Sequence, residues 1–246
     1  MSSARRPLVI SHRTNVGTMP ENTLAGVDAA IRDGADGVEI DVRATADGHV
    51  VLLHDATLER TTGDRRALAS LTLAELAAVR VAPARDHASP EPVPSLTAVL
   101  ERMEGHGIVV IEVKDGGIAD AVAAAVRGRG AAGRCWVWAF DPAVASDCFR
   151  ALPEVPVALL CASTSPAHYG YEGPVEAAAA ASLAAVSLHH SLVNGETVDA
   201  AHARGLRVYT WTVNEPEDIR RVVAAGVDAV CGDFPRRIAA VVAAGG

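Results

Sequence analysis

The stretch GVEIDVRATADGHVVLLHD, residues 37–55, decides the fold of this chain. It opens with a short apolar run of the kind that forms a buried strand, interrupted only by Glu39 and Asp41 two residues apart. The turn-forming pair Asp47-Gly48 then separates two strand-like segments too closely for a helix to lie between them. The stretch therefore predicts a buried strand that extends into an antiparallel hairpin, with two carboxylates on one side of the strand.

Seven further apolar runs of similar length recur along the chain, and each is followed by a helix-like segment. The eight runs are LVISH (8–12), GVEIDV (37–42), IVVIEV (108–113), CWVWAF (135–140), VALLC (157–161), AVSLH (185–189), RVYTWTV (207–213) and DAVCGD (228–233). This alternation predicts parallel strands connected by helices. Eight such units favour a (β/α)8 TIM barrel over a doubly wound sheet, because SHRTNVGTMP after the first strand lacks the glycine-rich phosphate fingerprint.

One barrel of this kind accounts for the whole chain of 246 residues. We therefore predict a single α/β catalytic domain over residues 1–246, with a small insertion at approximately residues 55–94 after the hairpin extension of strand 2. The insertion contains a short helix-like segment, LTLAELAAV (71–79), and a proline-rich segment. Both a lid over the barrel mouth and a purely structural insertion fit this pattern. The first helix has Asn22 or Thr23 as its candidate N-cap.

Composition limits the classes of partner. A net charge of −8 and a pI near 5.6 predict no nucleic-acid partner and no stable membrane association, so any phosphate must belong to a small molecule bound locally. The apolar run near the N-terminus is too short for a signal peptide, and no membrane-spanning run is present, so we expect a cytoplasmic protein. The cysteines show no zinc-binding spacing and are expected to be reduced and packed in the core: Cys135, Cys148, Cys161 and Cys231. No oligomeric state is predicted.

Ionisable residues concentrate at the predicted C-terminal ends of the first three strands, where TIM barrels hold their chemistry. Three of them, Glu39, Asp41 and Glu112, are acidic, and burying three carboxylates together without compensation is costly. Their oxygens match the ligands of a hard divalent cation, Mg²⁺ or Ca²⁺. The alternative is a metal-free rim in which Glu39 pairs with Arg13 and Glu112 with Lys114.

Two histidines lie at the same strand ends as the carboxylates. His12 and His54 are suited to divide the general-acid and general-base roles near neutral pH. Lys114 is the only lysine of the chain, and its compact charge beside Glu112 suits an oxyanion. His189 and His190 also end a strand, but on the far half of the barrel, and we expect them to be structural.

The order HR, PENT, ExD, HD, ExK and WTVN along the chain resembles the glycerophosphodiester phosphodiesterase family. The resemblance implies a metal-dependent barrel that hydrolyses glycerophosphodiesters to sn-glycerol 3-phosphate and an alcohol. It implies His12 and His54 as the acid/base pair, Glu39, Asp41 and Glu112 as metal ligands, Arg13 and Lys114 as phosphate-binding residues, Glu21 and Asn22 as supporting residues, and Trp211 as an apolar wall for the substrate.

The chain departs from the family pattern at two places. Thr14 stands where the family usually has glycine, and Gly232-Asp233 replaces its usual Thr-Asp or Asn-Asp pair. Two other functions fit the same fold. A lysophospholipase D or sphingomyelinase D-like enzyme would need an apolar rim, for which LTLAELAAV is the candidate. A non-catalytic glycerophosphodiester-binding barrel would be expected to lack a histidine or a carboxylate, and none is missing.

Overall fold

The fold was analysed in a computed structural model that describes residues 6–82, 89–162 and 173–244. The strands are β1 (Leu8–Ser11), β2 (Gly37–Ala44), β3 (Val50–Leu52), β4 (Arg80–Val81), β5 (Glu91–Pro92), β6 (Ile108–Val113), β7 (Cys135–Ala139), β8 (Val157–Cys161), β9 (Ala185–His189), β10 (Arg207–Trp211) and β11 (Ala229–Gly232). The helices are α1 (Leu24–Arg32), α2 (Glu59–Thr62), α3 (Leu73–Leu76), α4 (Leu96–Arg102), α5 (Ala119–Gly128), α6 (Pro142–Ala151), α7 (Gly173–Ala180), α8 (Gly195–His202), α9 (Pro216–Ala224) and α10 (Pro235–Ala244).

Eight parallel strands close into a barrel. Their order is β1-β11-β10-β9-β8-β7-β6-β2, and β1 also pairs with β2. Every barrel strand coincides with one of the eight apolar runs, and a helix separates each from the next. The prediction of a (β/α)8 TIM barrel is therefore confirmed.

The hairpin predicted after the second strand is also present. Strand β3 returns antiparallel to the end of β2, with Val42 opposite Leu52 and Ala44 opposite Val50. Within the insertion, the segment LTLAELAAV contains the short helix α3. The N-terminus of this helix is capped by a reciprocal capping box between Thr72 and Glu75. Part of the proline-rich segment, residues 83–88, lies outside the described residues.

Three groups of apolar side chains support this architecture. The largest lies between the strands and the surrounding helices, and the second fills the barrel, where Tyr209 stacks on Trp136 with 4.5 Å between ring centroids. The third joins β3 to the insertion and includes Val51, Leu53 and Leu58. Because Leu58 is fully buried there, the chain that follows His54 is anchored to the barrel.

The start of helix α1 shows how local capping serves the barrel mouth. The Thr23 side chain accepts a hydrogen bond from the Gly26 N–H, so Thr23 is the N-cap. This choice leaves the Asn22 side chain available for a contact with β2.

The remaining sequence expectations concern the thiols and the membrane. All four cysteines are buried in the core, as expected. No helix in the described parts of the chain has both the length and the apolarity needed to cross a bilayer.

Candidate active site

Three carboxylates converge at the C-terminal ends of β2 and β6. The parallel register sets Asp41 directly opposite Glu112, and Glu39 faces the same side of β2 as Asp41. One oxygen of each residue lies within 4.8 Å of the others. Glu39 and Asp41 are each 1% exposed and Glu112 is 8% exposed. The barrel therefore holds three acidic groups together at a position that solvent scarcely reaches.

Two cationic side chains contact this cluster. Lys114 Nζ lies 3.0 Å from Asp41 Oδ1 and also donates to Glu112. The Arg13 Nε atom lies 3.4 Å from Asp41 Oδ2, whereas its backbone N–H donates to Glu39 Oε2 at 2.9 Å. The metal-free alternative requires two ion pairs, Glu112 with Lys114 and Glu39 with Arg13. The first pair is present. In place of the second, Glu39 accepts a hydrogen bond from the backbone of Arg13.

Glu39 is the uncompensated member of the cluster. Its Oε1 atom is buried and has no hydrogen-bond partner. Burial, together with the charges of Asp41 and Glu112, raises the pKa of Glu39 to about 8. A divalent cation would remove this penalty, because it supplies the missing positive charge and takes an oxygen that no donor reaches. The residues present therefore fit a hard metal ion.

His12 is fixed from the last strand of the barrel. Its Nδ1–H donates to Asp233 Oδ1 at 2.7 Å, and Asn214 Nδ2 donates to the other oxygen of Asp233 at 2.7 Å. Burial lowers the pKa of His12, but the hydrogen bond to Asp233 and the charge of Glu39 outweigh burial, so its pKa lies above the ordinary value. With Nδ1 engaged, Nε2 is the nitrogen left to exchange a proton.

His54 has an equivalent arrangement on the hairpin side. Its Nδ1–H donates to Asp55 Oδ1 at 2.7 Å, and its backbone oxygen accepts from Arg43 Nε at 3.0 Å. Burial and the nearby charges of Lys114 and Arg13 lower the pKa of His54 despite the opposing effect of Asp41. Both histidines therefore bind an aspartate through Nδ1, and their pKa values move in opposite directions.

The first loop supports the cluster through Asn22. Asn22 Nδ2 donates to Asp41 Oδ2 at 2.8 Å, and the Asp41 N–H donates to Asn22 Oδ1 at 3.0 Å. Thr14 has a φ of 72°, in the left-handed region that favours glycine. Its side chain is buried and donates to the Arg13 carbonyl at 2.5 Å. The hydroxyl of Thr14 therefore stabilises the loop.

Glu21 joins the first loop to the insertion. Its Oε2 atom lies 3.4 Å from the Arg13 guanidinium, and Arg60 binds both of its oxygens at 2.8 and 2.7 Å. Arg60 also donates through Nε to Asp55 Oδ2 at 2.5 Å. Glu21 therefore contacts Arg13 directly and His54 through Arg60 and Asp55.

An aromatic group lines the other half of the mouth. Trp211 donates through Nε1 to the Ser187 carbonyl at 3.2 Å, and it meets Phe140 edge to face with 5.3 Å between centroids. The ring of His189, for which we expected a structural role, lies 5.5 Å from Trp211. Phe140 is 41% exposed, the one exposed large hydrophobic side chain among the residues described. Lys114 Nζ lies 5.9 Å from its centroid, so the aromatic and charged halves adjoin.

Comparison with known proteins identifies the family. The model of the glycerophosphoryl diester phosphodiesterase family matches residues 12–237. The chain belongs to this family. A glycerophosphodiester phosphodiesterase of Caldanaerobacter subterraneus subsp. tengcongensis is 31% identical over 255 residues, which cover 98% of this chain and 100% of the relative. The predicted enzyme class, glycerophosphodiester phosphodiesterase, is thereby confirmed.

Two solved structures resemble this chain over nearly its whole length. A glycerophosphodiester phosphodiesterase of Agrobacterium tumefaciens matches with a TM-score of 0.84 and 26% identity, covering 95% of this chain and 99% of that one. An Oleispira antarctica phosphodiesterase, solved with the product sn-glycerol-3-phosphate, matches with a TM-score of 0.84 and 24% identity and covers 97% of each chain.

Three residues of this phosphodiesterase that contact the histidines or their partners were not predicted from the sequence. They are Asp233, which the sequence marks only as a departure from the family pattern, Asn214, which belongs to the WTVN motif, and Arg60 of the insertion. The signal available was position, because Asp233 ends the last predicted strand, Asn214 follows the preceding one, and Arg60 lies shortly after the HD pair.

Proposed function

We propose that this enzyme hydrolyses glycerophosphodiesters to sn-glycerol 3-phosphate and an alcohol, with a divalent cation and two-histidine acid/base catalysis. The observation that carries the proposal is a cluster of three buried carboxylates, one oxygen of which lacks a partner, beside two imidazoles that are each bound to an aspartate through Nδ1. The full-length relative from Caldanaerobacter is named for the same activity. The product named here is the one bound in the Oleispira relative.

Glu39, Asp41 and Glu112 would hold the cation, either Mg²⁺ or Ca²⁺, because all three offer hard oxygen ligands. When bound, the cation would polarise the phosphoryl group and stabilise its developing negative charge. The Lys114 ammonium contacts the carboxylates of Asp41 and Glu112. The Arg13 guanidinium lies beside the other oxygen of Asp41. Both side chains are therefore close enough to the carboxylate cluster to bind the phosphate of the substrate beside the metal ion.

The chemistry of the two histidines would take place at Nε2. One imidazole would take the proton of the attacking hydroxyl, which is either the glycerol 2-hydroxyl or a water. The other would give its proton to the oxygen of the departing alcohol. Attack by water would give sn-glycerol 3-phosphate directly. Attack by the glycerol 2-hydroxyl would first give a cyclic glycerol phosphate, which a water would then open to the same product. The aspartates Asp233 and Asp55 keep each ring in the tautomer that this exchange requires. Trp211 would pack against the carbon atoms of the substrate.

The lipid-directed alternative finds less support in the insertion. It calls for an exposed apolar rim, and LTLAELAAV was the candidate. Leu71 and Leu76 of that segment are buried in the apolar cluster beneath the insertion, so they are not available to a lipid chain. The non-catalytic alternative gains no support either, since both histidines and all three carboxylates are present at one mouth.

Incubation of the purified enzyme with glycerophosphocholine tests the proposal. Release of glycerol 3-phosphate should require Mg²⁺ or Ca²⁺, stop with EDTA, and be abolished by His12→Ala and by His54→Ala. His106→Ala is the matched control, because His106 is exposed. Turnover only of long-chain lysolipids would favour the lipid-directed alternative, and tight binding without turnover would favour the non-catalytic one.

A further inference from the structure

The insertion contacts the active site through one side chain, Arg60. Its three guanidinium nitrogens are all engaged: Nε with Asp55, and the two terminal nitrogens with the two oxygens of Glu21. Asp55 in turn binds the Nδ1–H of His54, and Glu21 lies 3.4 Å from the guanidinium of Arg13. Arg60 therefore links two carboxylates: Asp55, which binds the proposed acid/base residue His54, and Glu21, which contacts the proposed phosphate-binding residue Arg13.

Most surface ion pairs contribute little, and the Arg60 side chain is 47% exposed. The geometry here differs from an ordinary surface pair. The Glu21 side chain is only 10% exposed, and the two parallel hydrogen bonds from Arg60 form the bidentate arrangement that lysine cannot reproduce. Although burial opposes the ionisation of Glu21, the hydrogen bond from Arg60 and the charge of Arg13 hold its pKa below the usual range.

The backbone that carries Arg60 is fixed independently of these ion pairs. Leu58 is buried in the apolar cluster beneath the insertion, and its N–H donates to the Arg66 carbonyl at 3.1 Å. The Thr61 carbonyl accepts from the Ala82 N–H at 2.7 Å. Loss of the guanidinium would therefore leave the segment in place while removing the contacts to Asp55 and Glu21.

We propose that Arg60 is a positioning residue for the reaction proposed above: by holding Asp55 and Glu21 together, it orients the imidazole of His54 and the guanidinium of Arg13 at the same time. Without it, the Asp55 carboxylate would keep only its contact with His54 and could rotate. Glu21 would keep only Arg13 and would draw that side chain away from Asp41. Arg60 itself does not touch the substrate.

Steady-state kinetics on glycerophosphocholine with Mg²⁺ test this role in Arg60→Ala and Arg60→Lys. We expect kcat to fall by about 10- to 100-fold in Arg60→Ala, as for other residues that orient a primary ligand, with a much smaller change in KM. Arg60→Lys should remain impaired because one ammonium cannot bind both carboxylates. Added guanidinium ion, below the concentration that shifts the thermal midpoint, should restore part of kcat in Arg60→Ala.

Arg65→Ala is the matched control, because Arg65 lies in the same insertion, is exposed and pairs with the exposed Glu59. It should keep the kcat of the parent and show no response to guanidinium. A double-mutant cycle with Glu21→Gln adds a second measurement. The two substitutions should cost much less together than the product of their separate effects, since each breaks the same contact.

The role of Arg60 is overturned if Arg60→Ala matches Arg65→Ala in kcat, or if its loss follows a lowered thermal midpoint that guanidinium does not reverse. Multiplicative effects of Glu21→Gln and Arg60→Ala would also overturn it. These results require an active parent enzyme. A parent that turns over no glycerophosphodiester would instead refute the proposed function, and the role of Arg60 would fall with it.

Discussion

The substitution Glu39→Gln provides the sharpest test of the carboxylate cluster. Glutamine has nearly the same shape as glutamate, and its carbonyl oxygen can still accept the hydrogen bond from the Arg13 N–H. It carries no charge, so it no longer needs a compensating cation. We expect the metal-free variant to be more stable than the parent enzyme at about pH 8, although the substitution removes one of the three proposed metal ligands.

The size of the effect follows from the pKa of Glu39, which the fold raises from 4.5 to about 8. Below the lower value both folded and unfolded chains are protonated at this site, so it contributes no difference. Between the two values the folded chain keeps a proton that the unfolded chain has lost, so the metal-free enzyme loses stability as pH rises. The difference amounts to at most about 5 kcal/mol, which corresponds to a midpoint shift of at most about 10–20 °C.

Thermal unfolding followed by circular dichroism measures this difference. Parent and variant are compared in EDTA at about pH 5 and about pH 8, and then with saturating Mg²⁺ or Ca²⁺. The two proteins should unfold at similar temperatures at the lower pH, and the variant should unfold later at the higher pH. Added metal should stabilise the parent strongly and the variant much less. Glu104→Gln, at an exposed position, is the control for the chemical change itself.

Two results would refute the reasoning. If metal-free Glu39→Gln were no more stable than the parent at the higher pH, the carboxylate of Glu39 would not be an uncompensated buried charge. If the metal raised the midpoint of both proteins equally, the cation would bind somewhere other than the cluster of Glu39, Asp41 and Glu112.

Three further predictions concern the histidine support, the aromatic wall and the thiols. Asp233→Asn replaces the carboxylate that raises the pKa of His12 with a neutral amide, so one limb of the pH–rate profile should move to lower pH and kcat should fall by about tenfold or more. Movement of the alkaline limb would make His12 the general acid, and movement of the acidic limb would make it the general base. Two unmoved limbs would contradict its participation. Trp211→Ala should raise KM by roughly tenfold with a smaller change in kcat, because the apolar contact stabilises the bound substrate and the transition state equally. An unchanged KM would show that Trp211 does not contact the substrate. Burial raises the pKa of Cys135 and Cys148 to about 11, so a thiol reagent should label the native enzyme at neutral pH only after denaturant is added, and rapid labelling without it would contradict the packing described.

The fold was predictable because its signal is local. Each barrel strand appears in the sequence as an apolar run bounded by helix-like segments, and parallel β-strands buried on both faces require such runs. The hairpin was predictable for the same reason, since Asp47-Gly48 marks its turn. Barrel closure, with β1 bonded to both β2 and β11, then follows from having eight such units.

The candidate site was predictable only in part. The positions of the three carboxylates follow from strand periodicity, but the contacts that hold the two histidines do not. Glu39 and Asp41 share a side of β2 by alternation, and the parallel register with β6 adds Glu112. The contact between His12 and Asp233 has no such local signature. It joins residues 221 positions apart, and it arises because closure of the barrel sets the last strand beside the first.

The same distinction explains why the role of Arg60 could not be predicted from the sequence, although Arg60 lies only five residues from Asp55. No periodicity governs a side chain in an irregular insertion, so its direction depends on how Leu58 and its apolar neighbours anchor the segment. Once that anchor is fixed, the guanidinium meets two carboxylates that belong to different loops. The two histidines proposed as the acid/base pair thus depend on contacts from two distant parts of the chain: His12 on the closing strand of the barrel, and His54 on an insertion that the barrel fold itself does not require.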